Sequence, residues 1–334
     1  MPPPRKDQFS GCLIGQCLGD ALGFPMEGHP PQTCRKYVDE FLKTHRAGEM
    51  GRGSFPFGQY TDDSQLAREL LQSYVAQKRF DPKDYAGRIS AIFAEGRVVG
   101  RGRATEEAAW RLARGVSWEE AGTPSPSAGN GSAMRAGPIG LIFYDDPEML
   151  IQSAHDQGRI THKDPRCSAG AVAIAGAVSL ALPGGEIRAK KFLAQLSEWA
   201  KGIDASVAEA LQQLAGWVDL PVDEAAPSIS RAGSPDFTDA WQGISPFVTG
   251  SVLWSLYSFL RSPGDYWETV CTAIAVGGDV DTTAAMAGAI SGAYLGLGAV
   301  PEGLTRHLTD QGSWGISQLV ELAEQAYEIK TAGP

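Results

Sequence analysis

The sequence predicts an all-α protein, and three features of its 334 residues support that class. Apolar residues recur at helical spacing along most of the chain. Runs that alternate apolar with polar residues and are rich in β-branched side chains, the pattern typical of strands, are scarce. Short segments rich in Gly and Pro separate the helical stretches, as at 122–131 and 183–185, and such segments commonly end helices.

Helices are predicted wherever the periodicity persists. They cover 64–78, 104–114, 168–182, 189–201, 205–217, 247–261, 266–275 and about 313–329. The second of them repeats the apolar spacing with Ala108, Trp110 and Leu112. The third is apolar on all sides, which predicts a helix buried on every face. Residues 219–246 contain several prolines and few periodic apolar residues, which predicts an irregular excursion.

The chain shows no clear linker and no repeat of fixed period. The motifs described below are spread from residue 19 to residue 282, so a site that unites them would need one domain. We therefore predict a single domain over 1–334, with a core of about 9–330. A monomer is the default expectation, because no apolar patch can be identified from the sequence.

The charge balance argues against one broad class of function. Lys and Arg number 29 against 39 for Asp and Glu, which gives a formal net charge of −10. General nucleic-acid binding depends on surplus basic residues that displace counterions, so it is not expected here. An acidic chain is instead compatible with a protein that gathers divalent cations.

Cysteine usage and hydropathy predict a cytoplasmic protein with no membrane partner. The five cysteines are scattered without a CxxC pair, which favours free thiols in a reducing compartment. The N-terminal residues lack the apolar core of a signal peptide. The stretch 282–301 is uncharged, but it is built mainly of small residues and therefore favours a buried helix over a membrane span.

Two acidic clusters stand out, each directly before a predicted helix. The first is YTDDS at 60–64 and the second is GGDVDTT at 277–283. Either cluster alone could be a helix cap, since Thr and Asp accept hydrogen bonds from free N–H groups in the first turn. Each offers two carboxylates where one acceptor suffices, however. If the two clusters faced each other, their hard oxygens would suit Mg²⁺, Mn²⁺ or Ca²⁺.

Four further features of the sequence are candidates for the site. The glycine-rich turn at 127–135 would expose successive N–H groups, an arrangement that binds phosphate, although many such stretches are ordinary turns. Asp20 lies among apolar residues and must be paired if it is buried. Glu27 follows a proline turn and could take part in acid–base chemistry. His162 precedes an apolar helix, where histidine is more often a structural hydrogen-bonder.

Together these motifs resemble the ADP-ribosylglycohydrolase family. The segments occur in the family's order: LGDALGFPMEG, YTDDSQ, GRGRAT, GNGSAMR, THKDP and GGDVDTTAAMAGAISGAYLG. The similarity extends from about residue 9 to residue 300. It implies a compact orthogonal bundle of a dozen or more helices around a binuclear metal cleft.

The resemblance also implies roles for individual residues. One Mg²⁺ would be bound by Thr61, Asp62 and Asp63, and the other by Asp279 and Thr282, with Asp281 bridging them and Mn²⁺ as a possible substitute. Glu27 matches a mobile acidic residue, and Glu27 and Asp62 are the candidates for acid–base catalysis. The implied substrate-binding residues are Gly100, Gly102, Ser127, Gly129, Asn130, Gly131, Ser132, Met134 and His162.

The implied activity is hydrolysis of the bond between C1″ of the distal ribose of ADP-ribose and an acceptor. The partner would be an ADP-ribosylated protein, with arginine or serine as the leading acceptors, or a small ADP-ribose conjugate. Two alternatives remain open at this point: a non-catalytic ADP-ribose-binding module and a structural protein of the crystallin type. Intact acidic motifs favour the enzyme, because a member that had lost activity would be expected to lose metal ligands.

Overall fold

The computed structural model of the protein describes residues 3–233 and 240–332. Within these ranges there are sixteen α-helices, and the only β-structure consists of isolated bridges, so the predicted all-α class is confirmed. The helices are α1 Lys6–Gly23, α2 Pro31–Tyr37, α3 Asp62–Gln77, α4 Pro82–Ala94, α5 Arg103–Ala113, α6 Gly137–Ile142, α7 Pro147–Arg159, α8 Pro165–Ala181, α9 Ala189–Lys201, α10 Ala205–Leu214, α11 Val222–Arg231, α12 Val248–Arg261, α13 Tyr266–Ala275, α14 Val280–Leu295, α15 Glu302–Thr305 and α16 Ile316–Ala332.

Two expectations from the sequence were wrong. The segment predicted as an irregular excursion contains α11, whose buried Ala225 and Ile229 are one helical turn apart, although Pro227 lies between them. Residues 234–239 of that segment lie outside the described residues. Trp110 does not face the core with Ala108, and 56% of it is exposed. Two positions correspond to a rotation of about 200° around a helix, so these two residues face opposite sides.

The uncharged stretch that begins at Thr282 forms most of α14, and this helix is buried along nearly its full length. None of the helices in the described segments combines the length and apolar content needed to cross a lipid bilayer. The small residues of α14 serve helix packing instead, and they determine how closely α1 approaches it.

Helices α1 and α14 pack antiparallel with their backbones in near contact. Glycines recur at every fourth position of α1, namely Gly11, Gly15, Gly19 and Gly23, so they share one face of the helix. A Cβ built on Gly15 would lie 2.4 Å from the carbonyl oxygen of Gly288, and one on Gly19 would lie 2.2 Å from that of Ala284. The pairing therefore brings the C-terminal end of α1 to the N-terminal end of α14.

Helix α1 also contacts the start of α3. The Nε2 atom of Gln16 donates to the carbonyl oxygen of Asp63 over 3.0 Å and to that of Met134 over 2.9 Å. Asp20, one turn further along α1, accepts from the first residues of α3 and is fully buried. A single helix thus fixes the relative positions of the ends of α3 and α14, and the site forms where these ends meet.

Candidate active site

The two acidic clusters, which lie far apart in sequence, are in contact in the structure. Thr282 Oγ1 donates to Asp63 Oδ2 over 3.2 Å, although 219 positions separate the two residues. Thr61 Oγ1 lies 3.0 Å from the same carboxylate oxygen. The N-terminal turns of α3 and α14 therefore face each other, which is the arrangement that the cation-site interpretation requires.

Asp20 holds the first of these turns in place. Its carboxylate accepts from the backbone N–H of Thr61 at 3.0 Å, from the hydroxyl of Thr61 at 3.0 Å and from the N–H of Ser64 at 3.1 Å. These N–H groups belong to the residues that begin α3 and have no partner within the helix. Asp20 is buried, and it is paired as a buried carboxylate must be, so its partners fix the orientation of the following carboxylates.

Glu27 is brought to the second turn by backbone pairing. Gly28 N–H donates to Gly278 O over 2.8 Å, and Gly278 N–H donates to His29 O over 2.9 Å. Gly278 has a φ of +89°, and an added Cβ would lie 2.0 Å from the carbonyl oxygen of Ile244. Only glycine fits this position. As a result, carboxylate oxygens of Glu27, Asp279 and Asp281 lie within 4.8 Å of one another, close enough to hold a metal ion.

These residues line a cavity of about 340 Å³, together with most of the substrate-binding residues predicted from the sequence. The predicted site residues that line it are Glu27, Asp62, Asp63, Gly100, Gly102, Gly129, Asn130, Gly131, Met134, His162, Asp279, Asp281 and Thr282. The structure thus brings together residues that the sequence distributes over more than two hundred positions.

Three predicted residues do not line this cavity. Thr61 is buried beneath it as the N-cap of α3, and its oxygen accepts from Asp63 N–H. Ser132 is fully buried, and its hydroxyl donates to the carbonyl oxygen of Cys167 over 2.8 Å. Ser127 lines a neighbouring cavity of about 370 Å³, which shares Gly129, Trp241 and Pro246 with the first.

The glycine-rich turn forms one wall of the cavity and contacts its acidic floor. Asn130 Nδ2 donates to Asp279 Oδ2 over 2.5 Å, and Asn130 N–H donates to Pro246 O over 3.0 Å. A Cβ on Gly131 would lie 2.7 Å from Cε1 of His162, so the imidazole lies directly against this glycine. The turn, the histidine and the carboxylates are therefore parts of one surface.

The carboxylates on the floor of the cavity are buried and lie close together. Burial, reinforced by neighbouring carboxylates, raises the pKa of Asp62, Asp63 and Asp281 well above the usual 3.8. Burial likewise raises the pKa of Asp279 to about 6 and that of Asp20 to about 7. Carboxylates that are buried this close together are destabilised as anions unless positive charge compensates them.

The donor set is suited to divalent cations. Asp63 Oδ1 is buried and has no hydrogen-bond partner in the described part of the chain, so one oxygen is left for another ligand. Carboxylate and hydroxyl oxygens are the donors that Mg²⁺, Mn²⁺ and Ca²⁺ prefer. The cavity thus offers hard oxygens, excess negative charge and an unsatisfied buried acceptor at the same place.

Several residues of the site were missed in the sequence analysis. Arg52 forms an ion pair with Glu27 and donates to Phe24 O over 2.9 Å. It comes from a turn with no motif of its own, so no local signal marks it. Arg101 and Arg103, the two arginines of the GRGR segment, line the cavity, as does Trp241. Trp241 lies within the segment 219–246 that was predicted to be irregular, and only tertiary structure brings it to the site.

His162 yields a prediction about stability. Burial, together with the charge of Arg135, lowers its pKa from 6.5 to about 3, while Asp164 opposes this effect. Below about pH 6.5 the unfolded chain binds a proton at this residue and the folded chain does not, so stability present above that pH is lost as the pH falls. We expect the advantage of wild type over His162→Gln in unfolding free energy to shrink by about 1.4 kcal/mol per pH unit below that point.

Urea unfolding at a series of pH values measures this dependence. The same substitution at the exposed His307 controls for the general loss of an imidazole. Parallel stability curves for wild type and His162→Gln from neutral to acidic pH would contradict the prediction.

The fold and the cavity together define an all-α protein with a carboxylate-lined cavity. The family model described as ADP-ribosylglycohydrolase matches residues 1–333, and the chain belongs to this family of enzymes, which hydrolyse ADP-ribose linkages.

Comparisons with individual proteins agree with this assignment. The chain is 31% identical to ADP-ribosylhydrolase ARH3 of Homo sapiens over 323 residues, covering 88% of this chain and 87% of the relative. It is 26% identical to ADP-ribosylarginine hydrolase Tri1 of Pseudomonas putida (strain GB-1), covering 90% and 74% of the two chains. A solved structure titled ADP-ribosylglycohydrolase-related protein complex matches with a TM-score of 0.73 and 29% identity, covering 98% of this chain and 99% of that one.

Proposed function

We propose that this enzyme is a Mg²⁺-dependent hydrolase that removes ADP-ribose from an acceptor by cleaving the bond to C1″ of the distal ribose. The observation that carries the proposal is the contact between the two acidic turns, where Thr282 Oγ1 donates to Asp63 Oδ2. Two caps that each served only their own helix would not need to face each other, whereas a cation site needs oxygens from both turns at one place.

The residues that would hold two divalent cations are Thr61, Asp62, Asp63, Asp279, Asp281 and Thr282. Mg²⁺ is the expected ion and Mn²⁺ a possible substitute, because both favour carboxylate and hydroxyl oxygens. When bound, such cations supply Lewis acidity and orient the hydroxyl groups of a sugar. The unsatisfied Oδ1 atom of Asp63 supports this role.

The shape of the site supports a path for ADP-ribose. The distal ribose would lie against the acidic floor of the cavity. The diphosphate would lie along the wall formed by Gly129–Gly131 and His162. The adjoining cavity of about 370 Å³ would then take the adenosine end, beside Trp241 and Phe247. Aromatic side chains offer a surface for a purine ring.

Hydrolysis adds the hydroxyl of a water molecule to C1″ and returns a proton to the departing acceptor. Breaking this bond gives a transition state with positive charge on the sugar ring, which nearby carboxylates stabilise. Glu27 and Asp62 both line the cavity and remain the candidates for proton transfer. Glu27 is half-buried and forms an ion pair with Arg52. Its carboxylate can therefore exchange Arg52 for another partner when the substrate enters.

The acceptor is proposed to be a protein arginine or serine side chain. The named activity of the Pseudomonas relative is on ADP-ribosylarginine, which makes arginine a direct test case.

The five cysteines are free and buried, and this supports the proposed reducing, cytoplasmic location. We propose a monomer as the working state.

Metal removal tests the proposal. Turnover of ADP-ribosyl-arginine and ADP-ribosyl-serine peptides should be lost in EDTA and restored by excess Mg²⁺, because neutralisation of the buried carboxylates is required for catalysis. Release of ADP-ribose, followed by chromatography, is the measurement. Undiminished turnover in EDTA would reject metal dependence. Tight ADP-ribose binding by calorimetry without cleavage of either linkage would favour a binding module.

A further inference from the structure

A chain of buried polar side chains lies behind the glycine-rich turn. Arg135 is fully buried, and its Nη2 atom donates to Gln157 O over 2.8 Å and to Thr161 Oγ1 over 2.9 Å. Thr161 Oγ1 in turn lies 2.8 Å from Nδ1 of His162. Arg135 and Thr161 do not line the cavity, but His162 does, so the chain connects the protein interior to the ligand surface.

The direction of the last hydrogen bond follows from counting hydrogens. A guanidinium group only donates, so Thr161 Oγ1 accepts from Arg135. The hydroxyl hydrogen of Thr161 must then find an acceptor, and in the described structure Nδ1 of His162 is the one in contact. A buried hydroxyl hydrogen without an acceptor is costly. Nδ1 therefore accepts, and a neutral imidazole must carry its single proton on Nε2.

The protonated nitrogen faces the glycine-rich turn. His162 Nε2 lies 3.2 Å from the position that a Cβ on Gly131 would take and 3.5 Å from the corresponding position on Gly129. The absence of side chains at both glycines leaves space in front of this nitrogen. Burial and the nearby guanidinium lower the pKa of His162 to about 3, so the ring is neutral at physiological pH.

We propose that Arg135 and Thr161 are positioning residues that fix His162 in its Nε2–H tautomer, so that the ring donates to a phosphate or ribose oxygen of ADP-ribose. The inference rests on the proposed function, which supplies the ligand. It assigns a role to two buried residues that the metal chemistry does not use.

The same guanidinium also holds the turn that the ligand would contact. Arg135 Nε donates to Gln157 Oε1 over 2.9 Å, and Gln157 Nε2 donates to Ser132 O over 2.8 Å. The guanidinium of Arg135 is therefore connected by hydrogen bonds to both the His162 ring and the glycine-rich turn. This shared connection favours a fixed geometry between the imidazole donor and the turn.

Thr161→Val and Thr161→Ser test the proposal as a matched pair. Valine keeps the volume of threonine but removes the hydroxyl, whereas serine keeps the hydroxyl. The ¹⁵N NMR spectrum of the His162 ring at neutral pH should show the Nε2–H tautomer in wild type and Thr161→Ser. In Thr161→Val we expect a mixture of tautomers and an ADP-ribose affinity about tenfold weaker, measured by calorimetry with Mg²⁺.

The outcomes separate this inference from the proposed function. Nδ1–H as the main tautomer in wild type overturns the inference even if Thr161→Val fails to fold. Wild-type tautomer and affinity in a folded Thr161→Val protein overturn it as well. Failure of wild type to bind or cleave any ADP-ribose conjugate contradicts the proposed function and the inference with it, whereas normal turnover alongside Nδ1–H rejects the inference alone.

Discussion

Asp281→Asn is expected to lower the rate of ADP-ribose release by about a thousandfold, since loss of Lewis-acid assistance removes several kcal/mol of transition-state stabilisation. Asp281 is 4% exposed, and its Oδ1 atom accepts from Thr282 N–H over 3.0 Å. Asparagine retains one oxygen for that hydrogen bond, while it removes the charge and replaces the second oxygen with an NH₂ group. The defect should therefore lie in catalysis and not in folding.

Two measurements make this result decisive. Steady-state turnover of the substrate peptides gives the rate, and urea unfolding in EDTA gives the stability. Because burial, reinforced by neighbouring carboxylates, raises the pKa of Asp281, we expect the metal-free variant to be at least as stable as the wild type. Asp219→Asn, which changes an exposed acid away from the cavity lining, is the control. Near wild-type rates for Asp281→Asn would remove this residue from the proposed cation site.

Gly15→Ala is expected to destabilise the protein by about 3 kcal/mol or more, at the upper end of the usual range for overpacking. The added Cβ would lie 2.4 Å from the carbonyl oxygen of Gly288, and backbone atoms of a buried helix cannot move aside as a flexible side chain can. The two helices must separate to admit the methyl group. Glu27 would then shift away from Asp281, so we also expect activity to fall in the fraction that remains folded.

Gly87→Ala is the matched control for this substitution. Gly87 lies within α4 and is exposed, and a Cβ built there meets no atom within 4 Å. The same chemical change should stabilise this position by about 0.5–1 kcal/mol, because alanine restricts the unfolded chain more than glycine does. Urea unfolding of both variants measures the two effects. Effects of equal sign and size would contradict the proposed role of the contact between α1 and α14.

The helical content was accessible from the sequence because it depends on local periodicity. The predicted helices at 189–201 and 266–275 coincide with α9 and α13. Where the prediction was wrong, local signals competed with packing. Pro227 obscured the spacing of the two buried residues in α11. Trp110 was grouped with Ala108 and Leu112 as part of the apolar spacing, although its position on α5 faces outward.

The candidate site could be predicted only in part. Its carboxylates belong to recognisable motifs, and most of the residues named from these motifs line one cavity. Arg52 could not be found, because its turn has no distinctive sequence and its partner Glu27 is 25 positions away. The burial of Ser132 was equally hidden, since its hydroxyl contacts the backbone of a helix that begins more than thirty residues later.

Most of the helices and the residue types of the site could be read from short segments of the chain, because these features do not depend on distant neighbours. The shared cavity of the α3 and α14 turns and the orientation of the His162 ring depend instead on contacts between remote segments. These features arise from the glycine contacts of α1 and from hydrogen bonds between remote segments. Such contacts form only when the whole chain is packed, so no local pattern specifies them.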